Sequence, residues 1–229
     1  MNKATIEVYY TPSVLDFEPQ QARYRALLDK DELAIAARFK FEGLRQRYIL
    51  SHGLLREQLA AAVHDSAANL RIDKTEFGKP FLADYPTLSF NMSHSGNYLA
   101  IAISTACQLG IDVECYKARD TWDGLGKRCF AAEEIAFWSS LDRAECGAAF
   151  YQFWVKKEAF VKAVGKGITL GLNQCVINPD TLNTFLSVPE CCGRADQWQI
   201  DDLVLSEGIF GAVVCDTQKA MTLKRFGIE

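Results

Sequence analysis

The residues Phe153-Trp154-Val155-Lys156-Lys157-Glu158-Ala159-Phe160-Val161-Lys162-Ala163-Val164-Gly165-Lys166-Gly167 constrain the fold more than any other stretch. At about 100° per residue, Phe150, Phe153, Trp154, Phe160, Val161 and Val164 recur at three-, four- and seven-residue intervals and share one helical face. Gly165 and Gly167 supply the C-terminal stop. Lys157 falls at the centre of the apolar stripe, where an ammonium is costly unless carboxylates, phosphate or backbone carbonyls receive it. Glu158 and Lys162, four residues apart, line the edge of the stripe. Taken alone, this is a core helix with a surface Glu-Lys pair.

A second constraint is Leu109-Gly110-Ile111-Asp112-Val113-Glu114, which alternates apolar and polar residues as a half-buried strand does. Leu109, Ile111 and Val113 face a core, leaving Asp112 and Glu114 on the other face roughly 6–7 Å apart. Two neighbouring carboxylates repel, so the pair is either solvated or held by a cation. None of the eight cysteines forms a C-x-x-C pair or has a His at ligand spacing, so a hard, oxygen-binding ion such as Mg²⁺ suits the pair better than Zn²⁺. The same cysteine pattern argues against a disulfide framework and for a reducing cytoplasm.

Other elements follow from local pattern. Ile6 to Tyr10 reads as a strand, residues 20–62 as largely helical with a start at Asp29-Lys30-Asp31-Glu32 and a break at Gly43. Gly78-Lys79-Pro80 predicts an extended turn able to seat a flat ligand such as a purine. Leu88 to Met92 places Leu88, Phe90 and Met92 on one face, and the polar side ends in Ser93-His94-Ser95-Gly96, a seat for phosphate. Tyr98 to Ser104 is a further strand, and a helix opens near Ala131. Cys175 to Ile177, Trp198 to Ile200, Leu203 to Leu205, Phe210 to Cys215 and Met221 to Leu223 predict short strands. With 229 residues the chain can bury a substantial core, and helix and strand in both parts predict a two-lobed α+β protein with its site between the lobes. No stretch approaches 18 apolar residues, so no membrane span is expected. The net charge of −4 argues against general nucleic-acid binding, although Arg38, Lys40, Arg45, Arg47 and Arg56 could hold an anion locally.

Phe90-Asn91-Met92-Ser93-His94-Ser95, Gly110 to Glu114 and Phe153 to Gly167 together resemble, in order and spacing, the motifs of the 4′-phosphopantetheinyl transferases. The Gly78-Lys79-Pro80 turn and the helix from Arg38-Phe39 to Arg56 are similar to the larger, monomeric Sfp-type members. The resemblance implies two pseudo-symmetric α/β halves, 1–104 and 105–229, with coenzyme A and Mg²⁺, or Mn²⁺ in its place, bound in the cleft. It implies transfer of the phosphopantetheine arm to a serine of an acyl or peptidyl carrier protein, releasing 3′,5′-ADP. By the same resemblance Asp112, Glu114 and Glu158 hold the metal, Lys162 contacts the pyrophosphate, and Glu158, directly or through a water, accepts the serine proton. Lys157 supports the carboxylates, Ser93 and His94 hold coenzyme A phosphate, Gly78, Lys79 and Pro80 flank the adenine, and Arg47 helps bind the 3′-phosphate. Where some members carry phosphate-binding lysines, this chain reads Glu32-Leu33-Ala34-Ile35. The carrier is expected to dock near Tyr116 to Phe130, on Lys117, Arg119, Lys127 and Arg128, with Trp122, Leu125 and Phe130 as apolar anchors. A Mg²⁺-dependent nucleotide phosphohydrolase and a non-catalytic carrier-binding module are the alternatives.

Overall fold

The structure is a computed structural model that describes residues 3–117 and 122–228. Strand β1 (Ala4–Thr11) leads into helices α1 (Gln21–Leu27), α2 (Lys30–Arg38) and α3 (Glu42–Val63), followed by strands β2 (Ile72–Lys74), β3 (Pro80–Leu82), β4 (Ser89–Ser95), β5 (Tyr98–Ser104) and β6 (Leu109–Cys115). Helices α4 (Trp122–Cys129), α5 (Ala132–Ser139) and α6 (Arg143–Val164) come next, then β7 (Val176–Ile177), β8 (Phe185–Ser187), β9 (Gln199–Asp202), β10 (Ile209–Cys215) and β11 (Met221–Gly227). The class is α+β. No helix among the described residues is long and apolar enough to cross a membrane.

Helix ends follow their capping chemistry. Asp29 accepts the Asp31 and Glu32 N–H groups at 2.9 Å, and Glu32 accepts the Asp29 N–H at 3.0 Å, closing a capping box where the acidic cluster predicts a start. Gly165 ends α6 at φ 74°, its N–H reaching the Val161 carbonyl at 2.9 Å. Gly43 is not the expected break. The chain leaves α2 at Phe39, and α3 runs through Gly43 from Glu42.

The four-stranded sheet has the order β11-β1-β5-β4 and the three-stranded sheet β6-β10-β9, while β2-β3 and β7-β8 form two-stranded sheets. The long helices α3 and α6, 22 residues each, cover them, and each half builds its own apolar core. A third cluster joins the sheets, with Ile6, Val8, Ala100 and Ala102 meeting Leu109, Ile111, Val113 and Val213. The division at 104/105 is crossed by β11, which pairs in parallel with β1 and so adds the end of the chain to the first sheet. Leu203 to Leu205 is not a strand; β9 stops at Asp202. Helix α6 also buries more than the predicted stripe. Val155, Lys156, Lys157, Ala159 and Ala163 are buried with Phe153, Phe160 and Val161, because the helix lies between β6 and β10 and the aromatic cluster of Phe130, Trp138, Phe185 and Trp198.

Candidate active site

Gly110 sets the distance between β6 and α6. A Cβ there would stand 2.1 Å from the Ala159 carbonyl oxygen and 2.4 Å from the Ala163 nitrogen, so only glycine lets the helix backbone lie against the strand. That contact brings Asp112, Glu158 and Lys162 together. Lys162 Nζ donates to Asp112 Oδ1 at 2.7 Å, to Ser93 Oγ at 2.9 Å and to the Ile111 carbonyl at 3.3 Å. Glu158, one turn earlier and half-buried, has its pKa raised, first by burial and then by the charge of Asp112. Asp112 is 5% exposed, and burial raises its pKa against the pull of Lys162 and Ser93.

The edges β4 and β6 meet through side chains rather than a backbone ladder. Ser89, Asn91, Ser93 and Ser95 accept the N–H groups of Leu109, Ile111, Val113 and Cys115 at 3.0–3.3 Å. Two of these serines also aim the carboxylates. Ser93 Oγ donates to Asp112 Oδ1 at 2.8 Å, and Ser95 Oγ donates to Glu114 Oε2 at 2.6 Å. Sequence reasoning missed Ser89, Asn91 and Ser95; the signal was the period-two spacing of hydrogen-bonding side chains on β4, which an exposed strand face shares.

Across from α6, the Gly78-Lys79-Pro80 turn closes a cleft of about 220 Å³ lined by Asn91, Glu158, Val161, Lys162, Gly165 and Gly167. Gly78 has φ 86°, the conformation the turn requires. The Lys79 side chain does not point freely into this cleft. It passes Gly165 to donate to the carbonyls of Ala163 at 2.6 Å and Leu109 at 3.2 Å, and burial lowers its pKa to about 8. Lys79 thereby ties the turn to the ends of α6 and β6.

Ser93 and His94 fall on opposite faces of β4. Ser93 joins Asp112 and Lys162, whereas His94 lines a second pocket of about 140 Å³ with Arg47, Tyr48, His52 and Gly96. Arg47 donates to the Gly96 carbonyl at 3.1 Å, which holds it beside the β4–β5 turn. Loss of hydration, then the charges of Lys162, Arg47 and His52, lower the His94 pKa. Such a cationic cluster suits an anion.

Lys157 lies outside the cleft. Its ammonium is 0% exposed, paired with Glu134 at 2.8 Å and donating to the carbonyls of Leu172 at 2.8 Å and Cys175 at 2.6 Å. The expectation that it supports the Asp112 and Glu114 carboxylates or touches coenzyme is therefore corrected. One residue from Glu158, it points about 100° away around the helix, into the C-terminal core. Phe130 is also corrected as a docking anchor, being 3% exposed among Trp138, Phe150 and Phe153. Tyr116, Lys117, Lys127 and Arg128 are exposed, and Arg119 lies outside the described residues.

Whether these residues fit a metal can be judged from Asp112. Its Oδ2 is buried with no hydrogen-bond partner, a spare acceptor beside a wholly oxygen donor set, which is hard-cation chemistry. Among the described residues no three carboxylate, imidazole or thiol groups converge as a ready shell. Asp112 Oδ1 is engaged by Lys162 and Glu114 by Ser95. The set fits an ion that takes the rest of its ligands from substrate and water.

Comparison with known proteins covers both parts of the chain. A family model described as the 4′-phosphopantetheinyl transferase superfamily matches residues 108–214, and one described as the N-terminal part of 4′-phosphopantetheinyl transferase matches residues 16–106. The 4′-phosphopantetheinyl transferase HetI of Nostoc sp. is 35% identical over 200 residues, covering 86% of this chain and 81% of the relative. The 4′-phosphopantetheinyl transferase Sfp of Bacillus subtilis is 28% identical over 156 residues, 68% of each chain. The 4′-phosphopantetheinyl transferase AcpT of Salmonella typhimurium is 34% identical over 131 residues, 57% of this chain and 62% of the relative. The chain belongs to the 4′-phosphopantetheinyl transferase superfamily and is an enzyme of the transferase class.

Proposed function

We propose that this enzyme transfers the 4′-phosphopantetheine arm of coenzyme A to a serine of an acyl or peptidyl carrier protein and releases 3′,5′-ADP, in the cytoplasm and as a monomer. The observation that carries the reading is the meeting of Glu158 and Lys162 on a cleft whose far wall is the Gly78-Lys79-Pro80 turn, with Asp112 buried behind them and paired to Lys162 at 2.7 Å. The Lys162 ammonium, already shared between Asp112 and Ser93, is placed to neutralise pyrophosphate charge. Arg47 and His94 hold the 3′-phosphate in the neighbouring cationic pocket, which offsets the missing lysines at Glu32 to Ile35. Asp112, Glu114 and Glu158 hold Mg²⁺, which when bound supplies charge neutralisation for the pyrophosphate oxygens. Glu158 takes the serine proton, directly or through a water. As the serine Oγ–P bond forms, the P–O bond to the departing 3′,5′-ADP breaks. The carrier docks on the exposed Tyr116, Lys117, Lys127 and Arg128, whose charges steer an acidic helix.

Intact-mass measurement of an apo-carrier with coenzyme A and Mg²⁺ tests the reading. The expected result is a mass gain of one phosphopantetheine arm, with 3′,5′-ADP formed in equal amount. Nucleotide release with no gain on any carrier would instead identify a phosphohydrolase.

A further inference from the structure

Away from the cleft, the Glu190–Cys192 3-10 turn carries two adjacent cysteines with Sγ atoms 3.8 Å apart. Cys191 is exposed and Cys192 half-buried. Both line a groove of about 550 Å³ with Lys166, Trp198 and Asp216, and this groove shares Phe77, Lys79 and Gly165 with the coenzyme cleft. The two thiols differ in kind. Lys166 shares the groove with Cys191, and its influence, followed by that of Cys192, lowers the Cys191 pKa. Burial, followed by the Cys191 contact, pushes Cys192 up to about 11. An exposed thiol whose anion is favoured, beside a half-buried thiol whose anion is disfavoured, is the pairing of an attacking and a resolving cysteine. Of the remaining thiols, Cys175 and Cys215 are buried and Cys107, Cys115, Cys129 and Cys146 half-buried, so Cys191 is the one exposed thiol of the eight.

We propose that Cys191 and Cys192 form a modification site for hydroperoxides, which convert the pair to a vicinal disulfide. The Cys191 thiolate attacks the distal peroxide oxygen. An S–O bond forms, the O–O bond breaks, and the leaving alkoxide or hydroxide takes a proton from water, leaving Cys191 as a sulfenic acid. The Cys192 sulfur then attacks the sulfenic sulfur, the S–S bond forms, and the displaced hydroxide leaves as water with the Cys192 proton. In sum, two thiols and one hydroperoxide give one disulfide, one alcohol or water, and one further water. Closing the sulfurs from 3.8 Å to a bond of about 2.05 Å, between residues whose Cα atoms lie nearer than in most disulfides, requires the backbone of the turn to change. That change is reported by Trp198, whose Nε1–H donates to the Cys192 carbonyl at 3.0 Å and whose ring packs 4.9 Å from Phe160 of α6.

The test treats the whole enzyme with hydrogen peroxide at low molar excess, blocks remaining thiols, and cleaves after Glu190 and Arg194 to release the tetrapeptide Cys191 to Arg194. The expected product is this peptide two hydrogens lighter and unblocked, restored by dithiothreitol, with a change in Trp fluorescence that is absent in Trp198→Phe. In Cys192→Ser, Cys191 should stop at the sulfenic acid and be trapped by dimedone. In Lys166→Gln, alkylation of Cys191 at neutral pH should slow several-fold. A doubly blocked tetrapeptide after other cysteines have oxidised, or a disulfide from Cys192 to Cys175, would overturn the proposal. Because none of these readouts measures transfer, their failure is distinct from a failure of the transferase reading.

Discussion

Helices α3 and α6 have the same length and bury a cation by the same device. Arg56 in α3 and Lys157 in α6 are both fully buried. Each meets a glutamate that caps a preceding helix, Glu32 accepting the Asp29 N–H and Glu134 the Ala131 N–H at 2.7 Å. Each also donates to two carbonyls, Ala67 and Leu70 for Arg56, Leu172 and Cys175 for Lys157. The difference lies in what the glutamate touches next. Glu32 reaches His52 at 3.2 Å, which stacks on Tyr48 in the pocket that holds Arg47 and His94. Glu134 is sealed and, among the described residues, receives only Lys157 and the N–H groups of Ala131 and Ile177. So the N-terminal pair supports the pocket of Arg47 and His94 from beneath, while the C-terminal pair locks the core on a different face of α6 from Glu158 and Lys162.

The largest effect that could break this comparison is removal of one buried cation. Lys157→Ala and Arg56→Ala should each cost about 3–5 kcal/mol in urea unfolding, since a carboxylate is stranded. The double replacement Lys157→Met with Glu134→Leu should recover most of the loss. A stable Lys157→Ala enzyme with transfer abolished would return Lys157 to the site.

A somewhat smaller effect is expected at glycines. Gly110→Ala should lose about 1–3 kcal/mol or more, because α6 must move off β6 to admit the methyl. Gly43→Ala, with nothing within 4 Å of its Cβ, should gain up to about 1 kcal/mol. Equal melting temperatures for the two would show that the close β6–α6 contact is not formed.

The smallest expected effect, about 1.4 kcal/mol for each pKa unit, separates the two glutamates by pH. Burial alone would raise Glu32, but His52, the Asp29 N–H and Arg56 outweigh it and lower its pKa. Its stabilisation is present above the ordinary carboxylate range and is lost as pH falls through the lowered value. Burial raises Glu134 despite Lys157, so its contribution is present below the ordinary range and is lost as pH rises through the raised value. Stability curves of Glu32→Gln and Glu134→Gln should therefore depart from wild type in opposite directions across that window. Departures of the same sign would remove the distinction.

Much of the C-terminal half was legible because local period carries it. The alternation in β6 placed Asp112 and Glu114 together, and the helical spacing in α6 placed Glu158 beside Lys162. The destination of Lys157 was not legible, because its acceptors Leu172, Cys175 and Glu134 come from separate segments. The pairing of β11 with β1 was hidden for the same reason: strand pattern says nothing about a partner more than two hundred residues away. On β4 the alternation was read correctly for Phe90 and Met92 but assigned Ser93 and His94 to one place, although neighbouring strand residues must face apart. The serines that look like a solvated face instead bridge two sheets.

The central claim is that transfer occurs where α6 meets β6, and Glu158→Gln tests it most directly. The substitution keeps the size of the side chain, so the unfolding midpoint should stay at or above that of wild type. The initial rate of holo-carrier formation, followed by intact mass at saturating coenzyme A and Mg²⁺, should fall about 100-fold or more. A folded Glu158→Gln enzyme that loads its carrier at the wild-type rate would contradict the account.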